Sequence, residues 1–261
     1  MPNDDVRTRF ELFSADLTAR VATDPEVLGL VLVGSTADTD RVDEWSDHDF
    51  ILVTREGTQE AFRQDLGWLP GAEHLVLRVR ETAHGLKAVY DDGRVLEFAV
   101  FSPDEVPLAE ANAYRVALDR ADLTATMAQI AARPRPGAVV DDEREIALFL
   151  SLVLIGVGRA RRGELIAAGQ HLRSHALRHL LTAWRHRHPT PDDARLDDLD
   201  VFRRVELVHP EAAARIATAQ AGDPETCARA LLDLAEEQLA PGWTVWPTEA
   251  VTAVRHRLGW S

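Results

Sequence analysis

Two short apolar runs separated by a glycine–serine pair constrain the fold of this 261-residue chain more than any other feature. The runs are VLGLVLV (27–33) and DFILVT (49–54), and such continuous hydrophobicity is typical of a strand covered on both faces. Gly34 and Ser35 directly follow the first run, and Asp47 and Asp49 stand at the start of the second. Because carboxylates at the mouth of a buried strand are costly without a partner, we expect something to compensate them.

Further patterns predict the rest of an α/β domain. The segment DDVRTRFELFSADLTARVA has apolar residues at helical spacing, and 58–69 is a second candidate helix. The sequence Asp91-Asp92-Gly93 between two apolar runs predicts a hairpin. The additional predicted strands are EHLVLRV (73–79), HGLKAVY (84–90), RVLEFAVF (94–101) and YRVALD (114–119).

The pattern changes after residue 132, which indicates a second domain. ARPRPGAVVDD (132–142) combines prolines, glycine and charges and is typical of a linker. Two long apolar-periodic segments follow, 143–169 and 170–188, and shorter ones lie near 198–208, 210–220 and 224–239. The chain is therefore predicted to form an α/β domain over 1–132 and an all-α helical bundle over 140–261.

Composition excludes several classes of protein. The formal net charge of −14 argues against a binder of duplex nucleic acid, because such proteins need a basic surface. The single cysteine, Cys227, excludes an intramolecular disulfide and a cysteine-rich zinc site. No apolar run reaches the ~20 residues that a membrane span needs, and the start does not resemble a signal peptide. We therefore expect a cytoplasmic protein without a membrane partner.

Asp47 and Asp49 are expected to act together, because side chains at positions i and i+2 of a strand point to the same side. Two carboxylates so close repel each other unless a cation lies between them. A hard divalent ion with oxygen ligands, above all Mg²⁺, suits such a pair and usually also binds substrate phosphates. Glu97 interrupts the apolar strand VLEFAVF, with no lysine or arginine beside it in that strand, and is the third candidate.

Gly34-Ser35, eleven intervening residues, Asp47-His48-Asp49 and a distal acid inside a strand together resemble the DNA polymerase β-type nucleotidyltransferase superfamily. Within that superfamily, the length and the domain order resemble the antibiotic nucleotidyltransferases that adenylylate lincosamides and aminoglycosides. His48 stands where the family more often has an aliphatic residue. The resemblance implies an α/β (α+β) nucleotidyltransferase domain with a small mixed sheet, followed by a helical bundle on the acceptor side of the cleft.

The resemblance also implies roles for individual residues. Asp47 and Asp49 would coordinate Mg²⁺ beside the phosphates of a nucleoside triphosphate, with ATP as the expected co-substrate. Gly34 and Ser35 would cradle those phosphates, since a turn after a buried strand can direct N–H groups and a hydroxyl at an anion. Glu97 would bind the metal or accept the proton of a substrate hydroxyl.

The expected acceptor is a small molecule with a hydroxyl, an aminoglycoside or a lincosamide, and the acidic surface favours the polycationic aminoglycosides. Arg159 and Arg162 are candidate contacts of the triphosphate, although cations near a helix C-terminus also favour the helix dipole. Dimers are usual in the resembled groups, so a homodimer through the apolar helix 170–188 is expected.

Alternative interpretations remain open at this point. The acids could be a turn and a cap beside a strand, with Glu97 in a surface salt bridge. His171, His175 and His179 recur at helical spacing, which suits either a zinc site or the boundary of an amphipathic helix. A non-catalytic nucleotide-binding or regulatory module, and a minimal nucleotidyltransferase acting on a protein or RNA end, are the alternative functions.

Overall fold

The computed structural model describes residues 3–110, 113–133 and 139–260. The chain forms two compact units, Met1–Pro134 and Arg135–Ser261. Their division falls inside the predicted linker over 132–142, of which residues 134–138 lie outside the described part of the chain. The first unit contains a sheet, and the second consists of helices and their connections. The predicted fold class, a domain with a small sheet followed by helices, is confirmed.

The sheet has six strands in the order β3-β4-β5-β2-β1-β6. The parallel pair is β2 with β5, and the other neighbours are antiparallel, so the sheet is mixed as expected. The predicted strands are all present, with ends displaced by no more than two residues. Their bounds are Val27–Val33 (β1), His48–Thr54 (β2), Leu75–Arg80 (β3), Gly85–Tyr90 (β4), Val95–Phe101 (β5) and Tyr114–Asp119 (β6).

Both faces of the sheet are covered over β1 and β2, which explains their continuous hydrophobicity. On one face the apolar cluster includes Leu17 of helix α1 (Asn3–Val21). On the other face Val31 of β1 packs with Met127 of helix α3 (Leu123–Ala131). The two clusters hold β1 and β2 rigidly, and the candidate site stands at the ends of these strands.

Two helices of the first unit differ from the sequence prediction. Helix α2 covers only Gln59–Gln64 of the expected 58–69, because Asp65 Oδ1 accepts a hydrogen bond at 2.9 Å from the Gly67 N–H and turns the chain. Helix α3 was not predicted at all.

The second unit begins with helix α4 (Asp142–Arg161), capped by the Asp141 side chain, which accepts from the Arg144 N–H. The helix ends at Arg161, and Gly163, whose φ of +82° favours glycine, follows its C-cap. The later helical elements are α5 (Leu165–Gln170), a π-helical turn (His171–Ala176), α6 (Leu177–Arg187), α7 (Val205–Val208), α8 (Pro210–Ala221), α9 (Pro224–Leu239) and α10 (Thr248–Leu258). Helix α10 lies beyond the predicted segments.

The apolar side of 170–188 lies within the core of the helical unit, where Leu172 and Leu180 are fully buried. That side therefore does not supply the surface for the expected homodimer, which stays a prediction. His179 Nδ1 lies 2.6 Å from Glu145 Oε2, and His171 Nδ1 lies 2.8 Å from the Ala167 carbonyl. In the described part of the chain these histidines belong to no group that could hold a metal.

No described helix combines the length and the apolar character that crossing a membrane requires.

Candidate functional site

The start of β2 separates its polar residues onto two faces of the sheet. His48 is 2% exposed and stacks on the Phe10 ring of α1, with ring centroids 3.8 Å apart. Asp49 is the next residue and, because side chains alternate along a strand, lies on the opposite face. Asp47, two positions before it, lies on the same side as Asp49 and is half-buried. The alternation thus places both aspartates together and the histidine in the core.

Strand pairing brings the third acid to the aspartates. Asp49 of β2 is the direct partner of Glu97 of β5 in the parallel pair, so their side chains share one face. One carboxylate oxygen from each of Asp47, Asp49 and Glu97 lies within 4.8 Å of the others. Glu97 is the exposed member of the set. The predicted acidic triad is therefore assembled by two paired strands, in which Asp49 and Glu97 are 48 residues apart in the sequence. Phe50 opposite Phe98 continues the same register.

The turn after β1 is built around the same aspartates. Gly34 has a φ of +60°, and a Cβ added there would lie 2.8 Å from Asp49 Oδ2, so only glycine fits. The Ser35 hydroxyl donates to the Asp47 carbonyl at 3.4 Å. Thr36, which is 1% exposed, accepts a hydrogen bond from the Asp49 N–H at 2.8 Å. This turn, Gly34–Thr36, therefore fixes the backbone that carries both aspartates.

A lysine from the neighbouring strand reaches the triad. Lys87 of β4 is the partner of Glu97 in the antiparallel pair, and its Nζ lies 3.4 Å from Glu97 Oε2. The same Nζ lies 2.9 Å from Glu81 Oε1. The hydrogen bond to Glu81 and the charge of Glu97 raise the pKa of Lys87, which therefore keeps its positive charge. Glu97 is thus partly in the surface salt bridge that the alternative interpretation expected, and at the same time faces Asp49.

Burial of His48 lowers the pKa of its imidazole to about 3, and the positive charge of Arg94 adds to this effect. His48 is therefore neutral at physiological pH, and its Nδ1 is buried without a hydrogen-bond partner among the described residues. A neutral ring that packs on Phe10 and Phe13 fills the space of the aliphatic residue that the resembled family more often has.

Arg159 and Arg162 lie in the helical unit, at the end of α4. Arg159 Nη1 is 2.7 Å from Glu164 Oε2, and Arg162 Nε is 2.9 Å from Glu164 Oε1. Arg161, between them, instead pairs with Glu225. The two candidate phosphate contacts therefore share one carboxylate, and their role toward a nucleotide stays a prediction.

The donor set at the triad suits a hard divalent cation. Three carboxylates supply only oxygen ligands, which is the preference of Mg²⁺ and Mn²⁺. Exposure of Glu97 leaves this side of the set open to a ligand that completes the coordination. In the described part of the chain, no other three histidine, cysteine or acidic side chains bring their ligand atoms within 4.8 Å of one another.

Sequence reasoning missed Thr36 and Lys87. Thr36 directly follows the glycine–serine pair, so its position was visible, but its role depends on the contact with β2. Lys87 could have been found from the hairpin: Tyr90 and Arg94 flank the Asp91-Asp92-Gly93 turn, and counting back along both strands places Lys87 opposite Glu97.

No protein-family model and no curated protein sequence matches the chain. Among solved structures, it is similar to a nucleotidyltransferase-like protein from Exiguobacterium sibiricum, with 16% identity, a TM-score of 0.34 and coverage of 95% of this chain and 80% of that one. An aminoglycoside 6-adenyltransferase from Bacillus subtilis shows 12% identity, a TM-score of 0.30 and coverage of 94% and 90%. The STING-associated CdnE c-di-GMP synthase from Capnocytophaga granulosa shows 8% identity, a TM-score of 0.33 and coverage of 98% and 82%. The roles of the residues rest on the geometry of the site.

Proposed function

We propose that this chain is a Mg²⁺-dependent nucleotidyltransferase that transfers a nucleoside monophosphate, AMP from ATP, to a hydroxyl of a small molecule. The observation that carries the proposal is the convergence of Asp47, Asp49 and Glu97 within 4.8 Å, beside a turn that only glycine can form. A structural role alone does not require three carboxylates on one face, because each repels the others. A bound cation would balance this repulsion.

Asp47, Asp49 and Glu97 would hold the metal through one oxygen each. A bound Mg²⁺ supplies positive charge that neutralises the phosphate oxygens of the nucleotide. Thr36 and Ser35 keep the aspartates in place through the Asp49 N–H and the Asp47 carbonyl. The positive end of the turn at Gly34–Thr36 is the side on which the β- and γ-phosphates would lie.

Glu97 is placed to handle the proton of the acceptor. It is the exposed acid of the triad, so an acceptor hydroxyl can approach it from solvent. The hydroxyl oxygen attacks the α-phosphorus while its proton passes to a Glu97 carboxylate oxygen. The bond from the α-phosphorus to the bridging oxygen breaks in line, and pyrophosphate departs. Lys87, whose Nζ lies 3.4 Å from Glu97 Oε2, would help to orient Glu97.

The leading acceptors are aminoglycosides and lincosamides, and the helical unit with Arg159 and Arg162 would contribute contacts to the nucleotide. A homodimer is part of the same proposal.

The runner-up function is a non-catalytic nucleotide-binding module, and a protein or RNA end as acceptor is the third. The intact triad favours catalysis over the binding module, and the net charge of −14 disfavours RNA.

The test is Mg²⁺-dependent release of pyrophosphate from ATP with a panel of hydroxyl acceptors that includes both antibiotic classes. We expect Asp49→Asn to lower the transfer rate by about 10²-fold or more, since a metal ligand is lost. Its stability should equal or exceed that of the wild type, because the substitution relieves repulsion between carboxylates.

Asp104→Asn is the matched control, because Asp104 is an exposed aspartate outside the triad. It should release pyrophosphate at the wild-type rate. Near-normal turnover by Asp49→Asn would contradict the assignment. Protection of the fold by ATP without release of pyrophosphate for any acceptor would favour the binding module instead.

A further inference from the structure

The face of the sheet that carries the triad extends past Glu97 onto strands β4 and β3. Glu97 of β5 is paired with Lys87 of β4, and Lys87 is paired with Val79 of the edge strand β3. Direct partners in a sheet point to the same side, so Asp49, Glu97, Lys87 and Val79 form one row across four strands. With about 4.8 Å between strands, Val79 lies roughly 10 Å from Glu97.

The neighbouring row on the same face is apolar. Val95 of β5 is paired with Val89 of β4, and Val89 is paired with Leu77 of β3. Leu77 and Val79 are each 49% exposed and Val95 is 37% exposed, whereas the opposite face of β4 is buried under α1. We call Leu77, Val79, Val89 and Val95 the apolar platform. The apolar platform is an exposed patch of the sheet that begins beside Glu97. Contiguous exposed apolar patches often mark binding surfaces.

The in-line geometry of the transfer indicates whether the nucleotide or the acceptor lies over the apolar platform. In the proposed function the phosphates lie over the turn Gly34–Thr36, which follows β1 and touches Asp49. Glu97 lies on the other side of Asp49, because β5 and β1 flank β2 in the sheet. The leaving pyrophosphate and the attacking oxygen occupy opposite sides of the α-phosphorus. With pyrophosphate over the turn, the attacking hydroxyl lies over Glu97, and the remainder of its molecule extends over β4 and β3.

We infer that the apolar platform binds the acceptor, and that the acceptor carries an apolar group next to the hydroxyl that it presents to Glu97. This inference rests on the proposed function and names its acceptor class. The platform offers only aliphatic side chains to its ligand. The Lys87 ammonium at its border is paired with Glu81 and Glu97. The aliphatic surface favours an amphiphilic acceptor of the lincosamide kind over a polyamine, against the preference that net charge alone indicates.

The test compares two acceptors in the pyrophosphate-release assay with the full chain. Lincomycin carries alkyl groups beside its hydroxyls, and kanamycin is a polyamine. We expect the wild type to use lincomycin with the higher kcat/KM. The double variant Leu77→Thr, Val79→Thr should raise the KM for lincomycin about tenfold, as loss of an apolar contact does, with an unchanged KM for ATP.

Val76→Thr is the matched control. Val76 lies on the same strand and is 67% exposed, but it is not part of the apolar platform. Threonine has the branched Cβ that suits a strand, so both variants should fold, and urea unfolding checks this. The control should keep the wild-type KM for both acceptors.

Four results would overturn the inference, and they are distinguishable. An equal KM for lincomycin in the double variant and the Val76→Thr control removes the platform from acceptor binding while the transferase stands. Use of kanamycin in preference to lincomycin rejects the amphiphilic class while the transferase again stands. Release of pyrophosphate with other acceptors of the panel but with neither of these two rejects the inference alone, and release with no acceptor of the panel rejects the proposed function as well.

Discussion

The Thr36 hydroxyl helps to hold the second aspartate of the site in place. Thr36 is almost fully buried, and its only described role is to accept the Asp49 N–H at 2.8 Å. The neighbouring Ser35 hydroxyl is also turned toward β2, where it donates to the Asp47 carbonyl. The turn after β1 therefore positions the two aspartates. In the proposed function its backbone also contacts phosphate.

Thr36→Val tests this positioning role. Valine has the same shape as threonine but cannot accept the hydrogen bond, so the Asp49 N–H loses its partner, at a cost of about 1–3 kcal/mol in the free energy of unfolding. We expect affinity for Mn²⁺, used as a probe of the triad, to fall at the same time. Thr36→Ser, which keeps the hydroxyl, should restore the affinity. Equal Mn²⁺ affinity in the valine and serine variants would show that Thr36 only fills space.

At the scale of elements, helix α3 depends on an aspartate outside the helix. Asp119, at the end of β6, accepts hydrogen bonds from the Leu123 N–H at 2.8 Å and the Thr124 N–H at 3.0 Å. These are the first donors of α3, which no earlier turn of helix satisfies. The helix packs on β1 at Gly29, where a Cβ would lie 2.0 Å from Leu123 Cδ1. Asp119 thus fixes the helix that covers one face of the sheet.

The contribution of this cap should be visible in how the stability of the Asp119→Asn variant depends on pH. The Thr124 hydroxyl, followed by the N–H groups of Leu123 and Thr124, lowers the pKa of Asp119 to about 2 from its ordinary 3.8. Because the pKa in the folded state is the lower one, the stability from ionised Asp119 is present above about pH 4 and is lost as pH falls toward 2. We expect the variant to unfold about 1 kcal/mol more easily at neutral pH and to approach the wild type at about pH 2.

Urea unfolding of both proteins across this range is the measurement. A stability difference that persists unchanged down to the lowest pH would contradict the cap, since protonated aspartate and asparagine carry no charge. Asp104→Asn, which removes an exposed carboxylate away from the cap, gives the comparison for unspecific acid effects.

The elements also explain what the sequence could and could not predict. The strands were predicted because burial on both faces leaves continuous apolar runs, and Glu97 was noticed because a lone acid stands out in such a run. Helix α3 was missed because its cap, Asp119, lies four residues before its first residue rather than directly next to it. Lys87 was missed because only neighbours within the strand of Glu97 were considered, whereas its partner comes from β4 across the hairpin.

Over the whole molecule, acidic residues outnumber basic ones, so carboxylates repel one another where they are not paired. The chain has 43 acidic and 29 basic residues, and three of the acids meet at one point of the sheet. Many other carboxylates are paired with arginines, as Glu164 is with Arg159 and Glu225 is with Arg161. Lys87 lies beside Glu97 at the triad, and a divalent cation bound there would balance the charge of the three carboxylates.

Binding of Mn²⁺ to the full chain, followed through the EPR signal of the free ion, tests the central claim most directly. Mn²⁺ accepts the same oxygen ligands as Mg²⁺. We predict one site on the wild-type protein and on Asp104→Asn, and its loss in Asp49→Asn while the variant remains folded. Binding of Mn²⁺ by Asp49→Asn with wild-type affinity would contradict the account, because the metal would then lie elsewhere than at the triad.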